Sequence, residues 1–487
     1  MKEPPELARD ADDAVRLVSG LLRRGETGEA FRERVRTESW SATESGLLAP
    51  ALSVESGTAV RIRREGRLLL VARSGAGPEA LRDAVREAGR LAGNAPFFKA
   101  HRTTGAAPGG RDVERPEEEE RRSAALAASL ARAFPDPRGV TASLQLSRVV
   151  TERTVVTSRA FLPCGARTRL VATGTIRRAG DERPFSFQSA RPFAEAADAL
   201  ALALREAIRP VPADAPQPGR VDVVFSPSAA SVFWHEVVGH SLEADGGERG
   251  SVLSRVKGAA VAPPGLDVHD DPGRADLPGA YGVDDEGSLA RAVPLLAGGV
   301  VTGLLSDRRS GAVETNGHGR TASFRRPPRT RMSNLVANAG SATLDELVER
   351  CGDGILVKEV ATGSADPESG RFVLFVAAAE AIRRGRRNAP LAPFALGGEI
   401  LSALGAIEEV WGNEVLPATG LSVCVKGGDA VPVGGAAAAL LVRGLFARTA
   451  RRLPPRPPTA SSRGASKRPR PTAAGRSCTS AEAGCSS

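Results

Sequence analysis

The chain has 487 residues, which is long enough for two or more domains with substantial hydrophobic cores. Its formal net charge is +9, but residues 448–487 hold nine basic residues and one acidic residue, so the remaining chain carries only +1. This distribution disfavours a nucleic-acid-binding body, and the five irregularly spaced cysteines disfavour a disulfide framework and suit a reducing, cytoplasmic location.

The N-terminal half alternates patterns typical of helices and strands. No signal peptide is expected, because charged residues follow Met1 closely, and no uncharged apolar run is long enough to span a membrane. The predicted helices cover 6–24, 78–92, 118–134 and 193–208. The predicted strands cover 30–42, a hairpin over 58–72 that turns at Glu65-Gly66, 140–157 and 167–190, with a polar loop over 103–117. Consecutive hairpins with helices between them predict an α+β fold with an antiparallel sheet over residues 1–208.

A proline-rich segment, residues 209–219, is the predicted linker to a second domain. Residues 220–446 show many short strand patterns, few helices and frequent glycine turns, which predicts a curved, mostly β domain. Residues 447–487 form a tail rich in Pro, Arg, Ser and Ala that has too little apolar content to fold and is predicted to be disordered. The tail is either a basic interaction arm or an out-of-frame translation of GC-rich sequence.

Two histidines and a glutamate stand close together early in the second domain. Residues 221–225 read as a buried strand, and Ser226 with Pro227 reads as the cap and first position of the following helix. That helix leads into the segment 235–240, in which His235 and His240 flank Glu236. Neutral imidazoles are zinc ligands, and a glutamate beside one can take a proton from water activated at the metal. The alternative is a helix that merely carries two satisfied histidines.

The spacing of these histidines is unusual for a metal site on a helix. Five residues correspond to about 500°, so the two side chains diverge by about 140° on a regular α-helix. A π-type turn widens the helix enough to bring them together. Alternatively, the helix ends early and His240 follows a turn at Gly239, where backbone freedom costs least. The spacing therefore predicts a break in α-helical geometry between residues 235 and 240.

A catalytic zinc ion needs a third protein ligand besides the two histidines. The near candidates are Glu243 and Asp245, and the distant ones are His269, His318 and Cys424. Cys424 precedes a lysine and lies between glycines, as expected for a turn that exposes a thiolate. A lone cysteine is otherwise a small buried hydrophobe.

The chain resembles the TldD/PmbA family of metallopeptidases over about residues 30–446, and more closely its catalytic TldD-like branch. The N-terminal match is diffuse and rests on residues 55–61. The C-terminal match is specific, and its motifs are His235-Glu236-x-x-x-His240 with Glu243 and Asp245, Asp284-Asp285-Glu286-Gly287, Asn316-Gly317-His318-Gly319-Arg320, Arg331-Met332-Ser333-Asn334, and the segment 423–434. Val425 and Asp429 depart from this family, which usually has glycine and glutamine there.

This resemblance implies a zinc peptidase that hydrolyses peptides or unfolded protein segments. It implies His235, His240 and Cys424 as the zinc ligands and Glu236 as the catalytic residue. A donor near the zinc would stabilise the oxyanion, and His318 is either that donor or a loop histidine. It also implies a dimer, either with itself or with a non-catalytic paralogue. The alternative is a non-catalytic binding or scaffold subunit, which the intact Glu236 disfavours. A nucleic-acid modulator that acts through the tail is a third hypothesis, and the nearly neutral body disfavours it.

Overall fold

A computed structural model gives the fold of this chain. It describes residues 11–449 apart from 49, 65–66, 94–115, 136–137, 179–180, 210–211, 213, 246–249, 311–314, 419–420 and 422. The predicted hairpin turn at 65–66, nearly all of the predicted loop 103–117 and almost the whole predicted tail lie outside these residues. Among the described residues, no helix combines the length and apolar character that crossing a bilayer requires.

The N-terminal half forms one antiparallel sheet flanked by helices. In chain order its elements are α1 (Ala11–Leu21), β1 (Thr27–Thr43), β2 (Gly46–Leu47), β3 (Ala51–Arg64), β4 (Arg67–Ser74), α2 (Pro78–Ala92), α3 (Pro116–Ala133), β5 (Val140–Thr157), β6 (Phe161–Arg178), β7 (Asp181–Ser189) and α4 (Phe193–Ala207). The sheet order is β4-β3-β1-β5-β6-β7, with β2 paired to β1. The predicted α+β fold with an antiparallel N-terminal sheet is confirmed.

Helix 78–92 and strand 140–157 have the predicted bounds, but the single strand predicted over 167–190 is wrong. That stretch holds the end of β6 and all of β7, which pair antiparallel with Arg178 opposite Asp181. Apolar residues alternate over 170–176 and again at 185–187, and the chain reverses within the polar stretch 177–184 between them, which the prediction of one strand passed over.

The two faces of the N-terminal sheet differ. One face packs against α3 and α4 through a core that includes Trp40, Leu146 and Leu170. The residues between these along β1, β5 and β6 point the other way, because side chains alternate across a strand. Their side chains line a cleft of about 1650 Å³.

The C-terminal half is mostly β, as predicted. Its elements are β8 (Gly219–Phe225), α5 (Pro227–Trp234), β9 (Val268–Asp270), β10 (Val293–Ala297), β11 (Val300–Val301), β12 (Gly319–Arg320), β13 (Arg329–Thr330), β14 (Asn334–Ala337), α6 (Leu344–Cys351), β15 (Gly354–Asp366), β16 (Arg371–Arg383), β17 (Arg386–Leu391), β18 (Phe394–Glu399), α7 (Ile400–Gly405), β19 (Leu416–Pro417), β20 (Val423–Lys426), β21 (Asp429–Pro432), β22 (Gly434–Ala437) and β23 (Leu440–Thr449). Short 3-10 turns cover His240–Leu242 and Ser254–Val256, and a π turn covers His235–Gly239.

The strands of this half form a closed ring and a second sheet. The ring runs β15-β8-β23-β18-β16 and closes because β16 also pairs with β15. The second sheet has the order β11-β10-β9-β14-β22-β19. Helix α5 is buried from Ala229 to Trp234, and it contacts both β15 of the ring and β22 of the sheet. Strand β23 continues to Thr449, which pairs with Phe394, so the folded body extends three residues beyond the predicted boundary at 446.

Charged side chains join the two halves. Arg61 of β3 is fully buried and donates a 2.6 Å hydrogen bond to the Asp285 carbonyl. Arg153 of β5 contacts the Asp285 carboxylate at 3.0 Å, and Arg63 contacts Glu286 at 2.5 Å. The segment 284–287, which the sequence singled out, therefore lies between the halves and fixes the N-terminal sheet opposite α5.

Candidate metal centre

Strand β8 and helix α5 carry the His-Glu-His segment. The Ser226 side chain accepts a hydrogen bond from the Ala229 amide at 3.3 Å and so caps α5, with Pro227 at its first position, as predicted. Beyond Trp234 the helix widens into the π turn, in which the His240 amide bonds to the His235 carbonyl. The two imidazole rings lie 4.9 Å apart between centroids and nearly perpendicular. The predicted break in α-helical geometry is confirmed, in its π-turn form.

Gly239 has a different role from the one its sequence suggested. Its backbone is ordinary right-handed helix, with φ −57° and ψ −60°, so its conformational freedom is not used. Instead, a Cβ atom at this position would lie 1.9 Å from Sδ of Met332. Glycine leaves room here for the Met332 side chain, which fills the space beside the π turn.

Cys424 is the distant candidate that the fold brings to the two histidines. It lies on β20, in the hairpin formed with β21, and is almost fully buried. Its Sγ is 3.4 Å from Nε2 of His240. One donor atom each from His235, His240 and Cys424 lies within 4.8 Å of the others, and this is the group of potential metal ligands found among the described residues.

The other candidates for a third ligand have different partners. Glu243 contacts Nδ1 of His240 at 3.2 Å and accepts from Lys426 at 2.7 Å, and Asp245 also pairs with Lys426. His269 pairs with residues of the neighbouring strands in β9. Glu243 therefore supports the ligand His240 without joining the three ligands, whereas Asp245 pairs with Lys426 and His269 lies in the second sheet.

His318 does not face the cleft. It is completely buried, with Nε2 2.9 Å from Asp270 and Nδ1 3.0 Å from the Asn316 side chain. Both ring nitrogens thus have partners beside the second sheet, to which Asp270 of β9 belongs. Of the two interpretations of His318, its buried ring disfavours the oxyanion donor, because tertiary packing turns the ring into the protein interior.

The surroundings of Cys424 favour its thiolate. Burial alone would raise the pKa of this thiol, but the neighbouring His240 and the Arg331 guanidinium hold it well below its usual range. Arg331 is itself buried and donates to the carbonyls of Cys424 at 2.6 Å and Asp429 at 3.0 Å. It therefore supplies positive charge and fixes the backbone of the hairpin at once.

Glu243 completes this arrangement on the other side of His240. Burial acts to raise its pKa, but His240 and Lys426 outweigh burial and lower it to about 2. A carboxylate that accepts from one ring nitrogen of a metal-binding histidine fixes the ring and directs the other nitrogen to the metal. Glu243 has this position, because Nδ1 of His240 faces Glu243 and Nε2 faces Cys424.

Glu236 lies beside this group and borders the cleft. It is buried, and burial raises the pKa of its carboxyl group despite the neighbouring His240 and His235. Its Oε2 makes no hydrogen bond to any described residue. Gly363 of β15 makes room for it, since a Cβ there would lie 2.4 Å from the Glu236 Cγ.

The three donors fit a zinc ion. Two imidazoles and one thiolate are a ligand set that zinc accepts in catalytic sites. Nδ1 of His235 is buried and makes no hydrogen bond to any described residue. A buried nitrogen without a partner costs free energy of folding, and a metal ion bound to this side chain would remove that cost. The residues present therefore fit the metal that the resemblance implies.

Sequence reasoning did not assign roles to Arg331, Met332 and Gly363. The Arg331–Asn334 element stood out in the resemblance, and the structure shows that its Met332 amide also donates to Glu243 at 3.1 Å. Gly363 carries no local signal, because a glycine within a strand pattern does not reveal which distant side chain approaches it.

Buried His235, half-buried His240 and buried Cys424 meet on a π turn and a hairpin, beside a glutamate whose Oε2 has no hydrogen-bond partner among the described residues, and they define a candidate metal centre. The family model of the PmbA/TldA metallopeptidase C-terminal domain matches residues 218–444, which include this whole site. Residues 218–444, the C-terminal half of the chain, thus match the TldD/PmbA family.

Known relatives agree with this assignment. The chain is 34% identical to a metalloprotease of Methanothermobacter thermautotrophicus over 47% of this chain and 50% of that protein. It is 28% identical to a zinc metalloprotease TldD homolog of Saccharolobus solfataricus over 43% of this chain and 48% of that protein. The chain thus matches about half the length of these curated relatives. The crystal structure of TldE from Thermococcus kodakarensis has the same fold, with a TM-score of 0.64, 16% identity, and coverage of 90% of this chain and 99% of that one.

Proposed function

We propose that this protein is a zinc-dependent peptidase that hydrolyses peptides or unfolded protein segments. The observation that carries the proposal is the meeting of His235, His240 and Cys424 within 4.8 Å, at the edge of a cleft that Glu236 also borders. The names of the curated relatives support peptidase activity. The cleft volume of about 1650 Å³ accommodates an extended peptide of several residues.

His235, His240 and Cys424 would hold the zinc ion, with Glu243 and Arg331 supporting His240 and Cys424 from behind. When bound there, zinc acts as a Lewis acid and makes water a nucleophile near neutral pH. Glu236 is the general base, because its free Oε2 lies beside the ligands without being required as one. It accepts the proton of the attacking water and returns it to the departing amine.

Strand β15 offers a place for the peptide backbone. Residues 360–366 border the cleft next to Glu236. Within the described residues, this part of β15 pairs with β16 on one edge, whereas its pairing with β8 ends at Val357. The other edge is therefore open to an extended peptide, which binds by main-chain hydrogen bonds with little dependence on side chains.

The test measures metal content and cleavage together. Elemental analysis of the purified protein should find about one zinc per chain, and an unfolded fluorogenic peptide should be cleaved until a chelator is added. Return of zinc should restore cleavage. Absence of both zinc and cleavage would refute the proposal. Bound zinc with peptide binding but no cleavage would instead support a non-catalytic binding or scaffold subunit.

We further propose that the protein acts as a dimer, either with itself or with a non-catalytic paralogue. Support comes from the family resemblance. Light scattering on the purified chain should give the mass of two chains if it pairs with itself. A monomer that becomes active only after a paralogue is added would establish the heterodimer.

A further inference from the structure

Two arginines on β6 face the cleft, and neither forms an ion pair with a described residue. Arg167 and Arg169 stand two residues apart, so they share one face of the strand, and both line the cleft. Both are half-buried, and within the described part of the chain neither makes an ion pair or a hydrogen bond. Their neighbour Arg153 differs, because it contacts Glu33 at 2.7 Å and Asp285 at 3.0 Å.

The surroundings make this pair of charges costly. Burial and the neighbouring Arg153 lower the pKa of both Arg167 and Arg169 to about 10. The Arg167 guanidinium lies 5.2 Å from the centre of the Tyr281 ring, which orients it without neutralising it. Two guanidinium groups share this cleft and form no ion pair with a carboxylate of the described residues, so they are arranged for an anion that comes from outside.

The rest of the cleft indicates which anion. Its lining also includes Glu33, Glu55, Glu236, Asp366 and Glu368, so the carboxylates outnumber the cations. A polyanion such as a nucleic acid would meet this repulsion along its length. One carboxylate at the arginine pair would not, and guanidinium groups match carboxylates in charge and in planar, two-point hydrogen bonding.

We infer that Arg167 and Arg169 bind a carboxylate of the peptide and so give the enzyme a preference for anionic substrates. This inference rests on the proposed peptidase function. The carboxylate is either the peptide's own C-terminus or an Asp or Glu side chain, since both present the same group. Main-chain pairing along β15 then holds the peptide, and the arginine pair selects among peptides.

The test compares one unfolded fluorogenic peptide in four forms. The forms combine a free or amidated C-terminus with an acidic side chain or its amide. The wild type should show kcat/KM higher by about tenfold for at least one carboxylate form than for the fully neutral form, the scale of a charge-assisted hydrogen bond. Whichever change removes the preference identifies the source of the carboxylate.

Variants of the two arginines test whether the preference for carboxylate peptides arises in the cleft. Arg167→Gln and Arg169→Gln should each reduce the ratio of kcat/KM between the carboxylate and neutral forms, and the Lys variants should restore part of it. Arg177→Gln is the matched control, because Arg177 lies on the same strand but is exposed and pairs with Glu182 outside the cleft. It should keep the wild-type ratio.

The outcomes separate this inference from the proposed function. Equal cleavage of all four forms, or an unchanged ratio in both Gln variants, overturns the inference and leaves the peptidase intact. If no form is cleaved, the peptidase fails, and fluorescence anisotropy with the same four peptides decides the inference by the ratio of Kd values. Tighter binding of a single-stranded oligonucleotide than of every peptide, lost in the same variants, would also overturn it.

Discussion

The two walls of the cleft differ in how completely their charges are matched. The metal wall consists of the π turn His235–Gly239, the hairpin of β20 and β21, and residues 360–366 of β15. Around its ligands, Glu243, Arg331 and Lys426 make several short contacts each. The sheet wall consists of the cleft-facing residues of β1, β5 and β6, and there Arg167 and Arg169 have no counter-ion among the described residues.

This difference indicates that catalysis and the selection of peptides depend on different walls of the cleft. A metal site needs ligands held within fractions of an ångström, so it belongs on the wall where second contacts fix the groups around His240 and Cys424. Recognition of varied peptides needs groups that await a partner, so it belongs on the sheet. Changes in the metal wall should therefore alter metal binding and the rate for all substrates alike, whereas changes in the sheet wall should alter selectivity.

The strongest challenge to the metal wall is Cys424→Ser. Serine is a poor zinc ligand at neutral pH, so metal affinity should fall by more than about 100-fold and cleavage should fall with it. Competition with a chelator of known affinity measures the change. Cys351→Ser is the matched control, because that thiol is on the last residue of α6, in a separate hydrophobic cluster, and this variant should retain the metal. Full zinc occupancy in Cys424→Ser would show that another residue is the third ligand.

Glu236→Gln separates chemistry from metal binding. The amide cannot accept the proton, so kcat/KM should fall by at least about 100-fold while zinc content stays at the wild-type level. Steady-state kinetics and elemental analysis on the same sample measure both. The exposed Glu349→Gln, on α6, should change neither. Undiminished turnover with zinc retained would remove Glu236 from the mechanism.

Gly239→Val tests the packing behind the π turn. The valine side chain would overlap Met332, which lies 1.9 Å from the position of a Cβ. We expect a loss of about 1–3 kcal/mol in the free energy of unfolding, as for overpacked cores, and weaker zinc binding. Val238→Ala, next to it, should weaken zinc binding less. The reverse order of zinc affinities would contradict the role assigned to Gly239.

Gly363→Ala tests how β15 positions Glu236. The added methyl group would lie 2.4 Å from the Glu236 Cγ, so the carboxylate must shift. Cleavage should fall by about tenfold for every peptide, since a small displacement of a catalytic group is costly, and zinc content should not change. Gly405→Ala, which has open space around its Cβ position, provides the control. A change in peptide preference rather than in overall rate would contradict the assignment of selectivity to the sheet wall alone.

Removal of residues 450–487 should have the smallest effect. The truncation keeps β23 whole, whose Thr449 pairs with Phe394. The removed segment is rich in Pro, Arg and Ser and has too little apolar surface to contribute to a core. The melting temperature and cleavage rate should match those of the full chain. A fall of several degrees would show that the tail packs on the body.

Local patterns determined much of this protein. The caps at Ser226 and Pro227, the bounds of helix 78–92 and strand 140–157, and the antiparallel N-terminal sheet all follow from periodicity and capping, which act over a few residues. The five-residue histidine spacing was sufficient to predict a break in the helix, because two ligands of one ion cannot diverge by about 140°. Cys424 was one of several open third ligands until resemblance singled it out.

Only the tertiary structure decided which distant groups meet. Sequence distance gives no measure of how β20 approaches the π turn, how Met332 excludes a side chain at Gly239, or how His318 is turned toward Asp270. The ion pairs of Arg153, and the lack of one for Arg169 among the described residues, could not be read from the sequence, since both are arginines in similar strand patterns. Such contacts depend on how whole sheets pack against each other, and that packing is set by the sum of many buried surfaces rather than by any local run of residues.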